Sequence, residues 1–247
     1  MTYGQFAYLY DELMKDAPYD KWVEFVLNYT SKYSIQGRNL LDLACGTGEL
    51  SVKLAEEGFH VTGVDLSDDM LTVAEAKANK AGLNIPFYQQ NMAELDGLGE
   101  FNLIGIFCDS LNYLQTEKEV QETFQSVHRH LSSDGLFIFD VHSIYKINEQ
   151  FVGQTFALNE EVISYIWESY EGDAPNSVEH DLSFFVLDEQ TGKYDRYDEL
   201  HFQRTFPIEL YKNWLTEAGF EIVDVVADFE PISPQSQSER IFFVCRK

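Results

Sequence analysis

Basic residues are scarce in this chain. Seventeen lysines and arginines face 42 aspartates and glutamates, a formal net charge of −25 over 247 residues. No cluster of Lys and Arg interrupts that field, so DNA or RNA would be repelled by most of the surface. No nucleic-acid partner is expected, and a cationic ligand is favoured. Cysteine is nearly missing too: Cys45, Cys108 and Cys245 are odd in number, widely spaced and without a CxxC. That argues against a disulfide framework or a zinc site and points to a reducing cytoplasm, with no metal expected. "MTYGQFAYLYDELMKD" lacks a basic n-region followed by an apolar core, and no apolar run approaches the length of a membrane span. Neither a signal peptide nor a membrane partner is expected. Internal repeats and low-complexity linkers are missing as well.

Hydrophobic residues make up 45% of the chain and aromatics 15%, enough for one sizeable core, or one core with an elaboration. Residues 3–14 and 20–33 read as helices; Asp16, Pro18 and Asp20 signal entry to the second, and Trp22, Val23, Phe25 and Val26 form its apolar stripe. Strands and helices then alternate. "NLLDLA" is a buried strand, "GELSVKLAEEG" a short helix, "HVTGVD" a second strand, and "SDDMLTVAEAKANKAG" a helix capped by Ser67 and ended by Gly82. "IPFYQQ" gives a third strand, and the uniformly apolar "FNLIGIFC" a fourth that reads as covered on both faces. "TEKEVQETFQSVHRHLSSDG" is a helix capped by Thr116, and "GLFIFDV" a fifth strand. This rhythm implies right-handed crossovers and a parallel sheet with helices on both faces. After residue 143 it changes. "TFALNEEVISYIWESYE", "NSVEHDLSFFVLDE" and "YDRYDELHFQRTF" read as three antiparallel strands, with a hairpin turn at "DEQTGKY". "PIELYKNWLTEAGF" is a last helix, and "EIVDVVADF" and "RIFFVCRK" two closing strands. The organisation expected is a core of residues 1–143 and 207–247, opened by lid helices at 1–34, with a sheet inserted at 144–206.

In an open parallel sheet, ligands bind beyond the C-terminal strand ends where the strand order reverses. "ACGTGEL" occupies such a place, ending the first strand and opening the first helix. Gly46 and Gly48 allow φ > 0 and remove side chains that would block a ligand. Asp65 ends the second strand, 23 residues after Asp42, where a carboxylate typically takes two ribose hydroxyls. A dinucleotide and another adenosine ligand fit this much equally. A dinucleotide loop needs G-x-G-x-x-G, so that pyrophosphate can sit on the helix N-terminus. Here Ser51 stands in the third glycine position, and Glu49 puts a negative charge into the first helical turn. Both features disfavour a phosphate, and with it a nicotinamide dehydrogenase. Asp42, at the base of the loop, is placed to hold an ammonium group, directly or through water. The ligand implied has an adenosine, no phosphate and a cationic amino-acid end. S-adenosylmethionine (SAM) has those parts, and its sulfonium suits an acidic protein.

"LLDLACGTGELSVKLAEEGFHVTGVDLSDDML" resembles the glycine-rich motif and second strand of class I SAM-dependent methyltransferases. The likeness continues through Asn91-Met92, "FCDSLNYL" and "HLSSDGLFIFDV", and covers residues 35–142. "HFQRTFPIELYKNWLTEAGF" is similar, more loosely, to the small-molecule N-methyltransferase branch, in which an antiparallel sheet is inserted late. The resemblance implies an α/β fold: a Rossmann-like seven-stranded, mostly parallel sheet with helices on both faces, plus an inserted antiparallel sheet that caps the acceptor site. It implies SAM as cofactor and S-adenosylhomocysteine as product. Position by position, Ala44, Cys45, Gly46 and Gly48 would contact the methionine part, Asp65 the ribose, and Leu66 and Met70 the adenine. Met92 would offer its backbone near the adenine and Asn91 its amide, where many relatives carry Asp. Cys108 and Asp109 would line the cofactor near the transferred methyl. Tyr3, Phe6 and Tyr10 resemble the family's N-terminal lid helix, where an aromatic hydroxyl often reaches the cofactor's carboxylate.

Methyl transfer from a sulfonium is an in-line displacement, and a base is needed only when the nucleophile starts protonated, as an alkylammonium does. His142 and Asp109 are the candidate bases, with Tyr113 positioning the acceptor. Candidate substrate contacts are Tyr113, His142, His201 and Arg204; the alternative for Arg204 is pairing with a surface acid. Cys45 and Cys108 read as small buried residues beside the cofactor rather than nucleophiles. His128 and His130 read as structural, near a helix C-terminus. Tyr145, Tyr165, Trp167, Phe184 and Phe202 either wall the acceptor site or pack the inserted sheet. The expected reaction is methyl transfer to a small molecule, at nitrogen, by a monomer or homodimer. A tRNA or protein methyltransferase and a non-catalytic SAM-binding protein stand as alternatives.

Overall fold

The computed structural model describes residues 9–11 and 14–247. Tyr3 and Phe6, with most of the first expected helix, lie outside the described residues; residues 9–11 are helical. Helix α1 (Tyr19–Lys32) buries Trp22, Val23, Phe25 and Val26, the stripe read from the sequence. Strands β1 (Asn39–Leu43), β2 (His60–Asp65), β3 (Phe87–Gln89), β4 (Phe101–Ile106) and β5 (Leu131–His142) follow, with helices α2 (Glu49–Glu56), α3 (Asp68–Lys80) and α4 (Glu117–His130) between them.

Local chemistry sets these boundaries. Ser67 caps α3 by accepting from the Met70 N–H at 3.3 Å, and Thr116 and Glu119 form a reciprocal capping box on α4. Gly48, at φ +74°, opens α2; a Cβ there would lie 2.8 Å from that of Ala74, so both backbone and packing require glycine. Helix α4 stops at His130, short of the expected Gly135, because Leu131 turns extended and pairs with Phe101 of β4.

The inserted sheet has four strands, not the three expected: β6 (Thr155–Asn159), β7 (Ile163–Glu171), β8 (Ser177–Asp188) and β9 (Lys193–Arg204), all antiparallel. One long strand over 155–171 would have put Phe156 and Leu158 on the opposite face from Tyr165 and Trp167. A turn at 160–162 restores parity, pairing Phe156 with Trp167 and Leu158 with Tyr165. The chain then returns through α5 (Ile208–Glu217) to the hairpin of β10 (Glu221–Ala227) and β11 (Arg240–Arg246).

The main sheet has the order β3-β2-β1-β4-β5-β11-β10, with β11 antiparallel to both neighbours. Strand order reverses between β1 and β4, which places the ligand crevice at their C-terminal ends. One apolar cluster joins the sheet to α4 and α5, through residues such as Phe124, Phe139 and Trp214. A second, on α1, α2 and α3, includes Trp22, Leu54 and Ala78.

The inserted segment has a small apolar cluster of its own, Ile147, Phe151 and Val178, and Phe151 packs edge-on against His142 at the end of β5. Hydrogen bonds supply the rest. Asn112, 0% exposed, donates to the Arg204 carbonyl at 2.8 Å and accepts from the His142 N–H at 2.9 Å. Thr205 donates to the His142 carbonyl at 2.6 Å, and Gln115 donates to the Phe202 carbonyl at 2.8 Å. These bonds hold β9 over the ends of β4 and β5. Asn112→Ala strands two buried backbone groups; a loss of about 2 kcal/mol is expected, or a Tm roughly 4–8 °C lower for a chain of this size, read by scanning calorimetry.

Candidate active site

The loop after β1 passes through Ala44, Gly46 and Gly48 at φ +56°, +53° and +74°. A Cβ on Gly46 would meet nothing within 4 Å, so its missing side chain leaves open space. That space is a cavity lined by Tyr10, Asp42, Ala44, Cys45, Gly46 and Cys108, six residues expected from the sequence. Tyr19, Thr47, Phe107 and Ser110 line it too, without any local signal that would have marked them.

Asp42 is 2% exposed, and Ser51 donates a 2.5 Å hydrogen bond to its Oδ2. Burial lifts this carboxyl from an ordinary 3.8 to about 7, against the Ser51 bond, which lowers it. Ser51 therefore has a positive reason to replace the third glycine. Asp65 ties loop to helix: it accepts from the Gly46 N–H at 2.8 Å and from the Ser67 N–H at 2.9 Å. Burial raises its pKa and those N–H groups oppose the rise. Leu66 beside it is 69% exposed, and Met70 is half-buried. Asn91 turns its side-chain oxygen to the Ala93 N–H at 3.0 Å, capping the turn that carries Met92.

Glu49, read as a bar to phosphate, is paired. Lys77 Nζ lies 2.9 Å from Glu49 and 2.9 Å from Asp11, and Thr47 donates to Asp11 at 2.5 Å. The pairing offsets the charge that was to repel phosphate, so Asp42 becomes the stronger argument for a cationic ligand. It also pins Asp11 onto the glycine loop. The Cys45 and Cys108 thiols are pushed well above their ordinary 9.0, by burial and then by nearby carboxylates, so both are neutral.

At the end of β4, Cys108 and Asp109 both take φ +53°, a strained conformation for two consecutive non-glycine residues. It is held from β5: the N–H groups of Cys108 and Asp109 donate to Asp140 at 3.1 and 2.9 Å. Asp140, 0% exposed, also accepts from Trp22 Nε1 at 2.8 Å and from Arg240 Nη1. Arg240 lies over the Trp22 ring at 5.0 Å and bonds Asp109 Oδ1 through Nη2 at 2.9 Å. Asp109 Oδ2 accepts from Gln203 Nε2 at 2.8 Å and lies 3.2 Å from His142 Nε2. Burial alone would raise the Asp109 pKa, but His142 and Arg240 hold it well below the usual carboxylate range. Asp109 is therefore a fixed anion, the weaker of the two candidate bases.

Tyr113, 47% exposed, sets its hydroxyl 3.3 Å from His201 Nδ1. Arg204 does not join them. Its guanidinium donates to the carbonyls of Gln115 at 2.8 Å and Pro175 at 3.3 Å and covers Phe206 at 4.5 Å, so it anchors the inserted sheet. Phe202 is 46% exposed, and Trp167 packs on Phe151 and Phe156, which is sheet packing. Asp140 and Arg240 escaped the sequence reading. The signal was there: a carboxylate inside the apolar "GLFIFDV" and a cation opening "RIFFVC", each expensive to bury alone.

Residues 40–135 match the family model described as a methyltransferase domain. A putative methyltransferase of Geobacillus sp. strain WCH70 is 53% identical over 248 residues, spanning 100% of both chains. The crystal structure of a SAM-dependent methyltransferase from Clostridium acetobutylicum ATCC 824 has a TM-score of 0.89 at 31% identity, covering 100% of this chain and 99% of that one. The chain belongs to the class I SAM-dependent methyltransferases. The sugar N-methyltransferase KedS8 from Streptoalloteichus sp. ATCC 53650 shares the fold, at TM-score 0.78 and 22% identity, over 97% of this chain and 93% of that one.

SAM is the cofactor of this methyltransferase, and the donor set fits it: a buried carboxylate for an ammonium group, beside backbone left bare at Gly46. The Asp42 carboxyl gives that fit a pH signature. The unfolded chain loses this proton near 3.8 and the folded protein near 7. Between those values the folded state binds more protons, so the Asp42 contribution to stability falls as pH rises through the window and levels off above it. An ammonium ligand needs the ionised form, so SAM affinity should drop about tenfold per pH unit below 7. Calorimetry in buffers of different ionisation enthalpy reads the released proton. Asp42→Asn should flatten both profiles and bind SAM weakly at every pH.

Proposed function

We propose that this methyltransferase methylates a nitrogen of a small molecule. The observation that carries the reading is the charge of the buried cluster at the ends of β4 and β5. Asp109 and Asp140 bring two negative charges, and Arg240, bonded to both, brings one positive charge. The excess negative charge lies beside His142, 3.2 Å from Asp109. It favours a neighbouring cation, an ammonium group of the acceptor.

Asp109 accepts from His142 Nε2–H in this arrangement and fixes the tautomer, which leaves Nδ1 to take the proton. Tyr113 and His201 position the acceptor. Asp42, Ala44, Cys45, Gly46 and Gly48 hold the methionine end of the cofactor, Asp65 the ribose, and Leu66, Met70, Asn91 and Met92 the adenine side, with Cys108 along the wall and Tyr10 above. When bound, SAM supplies a methyl on a sulfonium, whose sulfur leaves as a neutral thioether. Alignment of the reactants by these residues and exclusion of water supply ~7–11 kcal/mol of the barrier reduction.

The segment 144–206 closes the acceptor side of a core made from 1–143 and 207–247. A net charge of −25 supports a small cationic acceptor over tRNA. The fold shared with a sugar N-methyltransferase is compatible with nitrogen as the target. Free Cys45, Cys108 and Cys245 suit the cytoplasm. Release of S-adenosylhomocysteine across a panel of amines, amino acids, amino sugars and carboxylates tests the reading; turnover confined to oxygen or carbon acceptors would overturn it. With an active amine in hand, His142→Gln should lower kcat roughly 10²–10⁴-fold and abolish the acidic limb of the pH profile. Full turnover across pH would remove His142 from the role of base.

A further inference from the structure

His180 of β8 is buried, with 3% of its surface exposed, and the mechanism above does not use it. Its Nδ1 accepts from Trp167 Nε1 at 2.9 Å and lies 2.9 Å from Ser169 Oγ. An indole nitrogen only donates, so Nδ1 carries no proton. Burial pushes the His180 pKa down to about 4, which keeps the ring neutral. A neutral imidazole without a proton on Nδ1 has one on Nε2. That Nε2 is buried and has no hydrogen-bond partner among the described residues. Buried donors are paired almost without exception, so an unpaired one in a native fold calls for a ligand or another reason.

The surroundings point to a ligand. Nδ1 is turned to β7, which leaves Nε2 to the other side of the ring. His201 stands opposite His180 on β9, and it is His201 that meets Tyr113. Phe151 packs edge-on against the rings of both His180 and His142, at 5.0 and 5.2 Å between centroids. Gln203, whose amide donates to Asp109, is the neighbour that most favours a proton on His180, yet no hydrogen bond to Nε2 closes. His142, His201 and Asp109 all lie within electrostatic reach of the ring. The orphan donor thus lies close to the cluster that holds the candidate base.

We propose that His180 Nε2–H is the acceptor-recognition donor of the inserted sheet, bonding an uncharged oxygen, hydroxyl or carbonyl, on the same molecule whose nitrogen is methylated. The nitrogen rests on the function proposed above; the donor rests on His180 alone. A neutral N–H beside an excess anionic charge favours an uncharged oxygen over a carboxylate. The substrate class is therefore an amine that also carries a hydroxyl or carbonyl group. A site built to bond an oxygen discriminates strongly against the analogue that lacks it.

Two measurements test this. In the full chain saturated with S-adenosylhomocysteine, ¹⁵N-labelled histidine should report His180 as the Nε2–H tautomer from pH 6 to 8. Titration with ethanolamine should shift that resonance, and titration with propylamine should not. An Nδ1–H tautomer, a charged ring, or equal response or silence with both probes overturns the proposal. In the turnover assay, His180→Phe should raise KM at least tenfold for a hydroxylated acceptor, leave kcat and the KM of its deoxy analogue unchanged, and be partly rescued by His180→Gln. A variant that loses kcat for both acceptors alike marks a structural role and overturns the proposal. Should the His180 preference hold among phenols or thiols while amines stay inert, the donor stands and the nitrogen reading falls.

Discussion

The buried bridge from Asp140 through Arg240 to Asp109 is the interaction on which the site depends. It gathers α1, β4, β5 and β11 at one point, through contacts spanning 118, 32, 100 and 131 positions of sequence. Two carboxylates and a guanidinium are costly to bury, and removing one partner from such a group typically costs about 3–5 kcal/mol. With all three in place, one geometry satisfies them. That geometry fixes the left-handed turn at Cys108 and Asp109, and with it a wall of the cofactor cavity and the carboxylate that orients His142.

The residues expected around the cofactor were legible because the set is local. Asp42, Gly46, Gly48 and Ser51 share one strand, turn and helix, and Asp65 ends the adjacent strand. Turn chemistry and spacing describe such a set without any long-range contact. The half proposed for the acceptor is not local. Asp109, His142, Gln203 and Arg240 meet only once β9 is laid over β4 and β5 and β11 is paired with β5. His142 and Asp109 were named because strand ends point at ligands, but their relation, one a fixed anion and the other the group it orients, needed coordinates. Arg204 shows the reverse case. Its charge invited a role in binding, and only its partners, two backbone carbonyls and a phenyl ring, reveal an anchor. The break between β6 and β7 was readable in principle, since the parity of the apolar positions shifts between Leu158 and Ile163.

The inserted sheet is attached through both main chain and side chains. Carbonyls of His142, Phe202 and Arg204 take part, and so do the Gln203 amide on Asp109 and the Arg204 guanidinium on the Gln115 carbonyl. Support and the inner face of β9 are therefore coupled, since Gln203 belongs to both. The glycine loop is held as firmly. Gly48 is pressed against Ala74, and Asp65 and Ser51 each hold another part of the loop.

Two buried aspartates are tuned apart by their neighbours. Asp42 has a hydroxyl as partner and no cation among the described residues, so burial wins and its pKa rises to about 7. A positive group arriving beside it would favour its ionised form. Asp109 has Arg240, His142 and Gln203, so the partners win and it stays ionised. A carboxylate so held is a poor proton acceptor but a steady support for one. In the proposed reaction that leaves proton transfer, where the acceptor needs it, to the imidazole beside Asp109. Divergent environments thus give one residue type two different pKa values within one site, which is how two carboxylates come to play distinct roles.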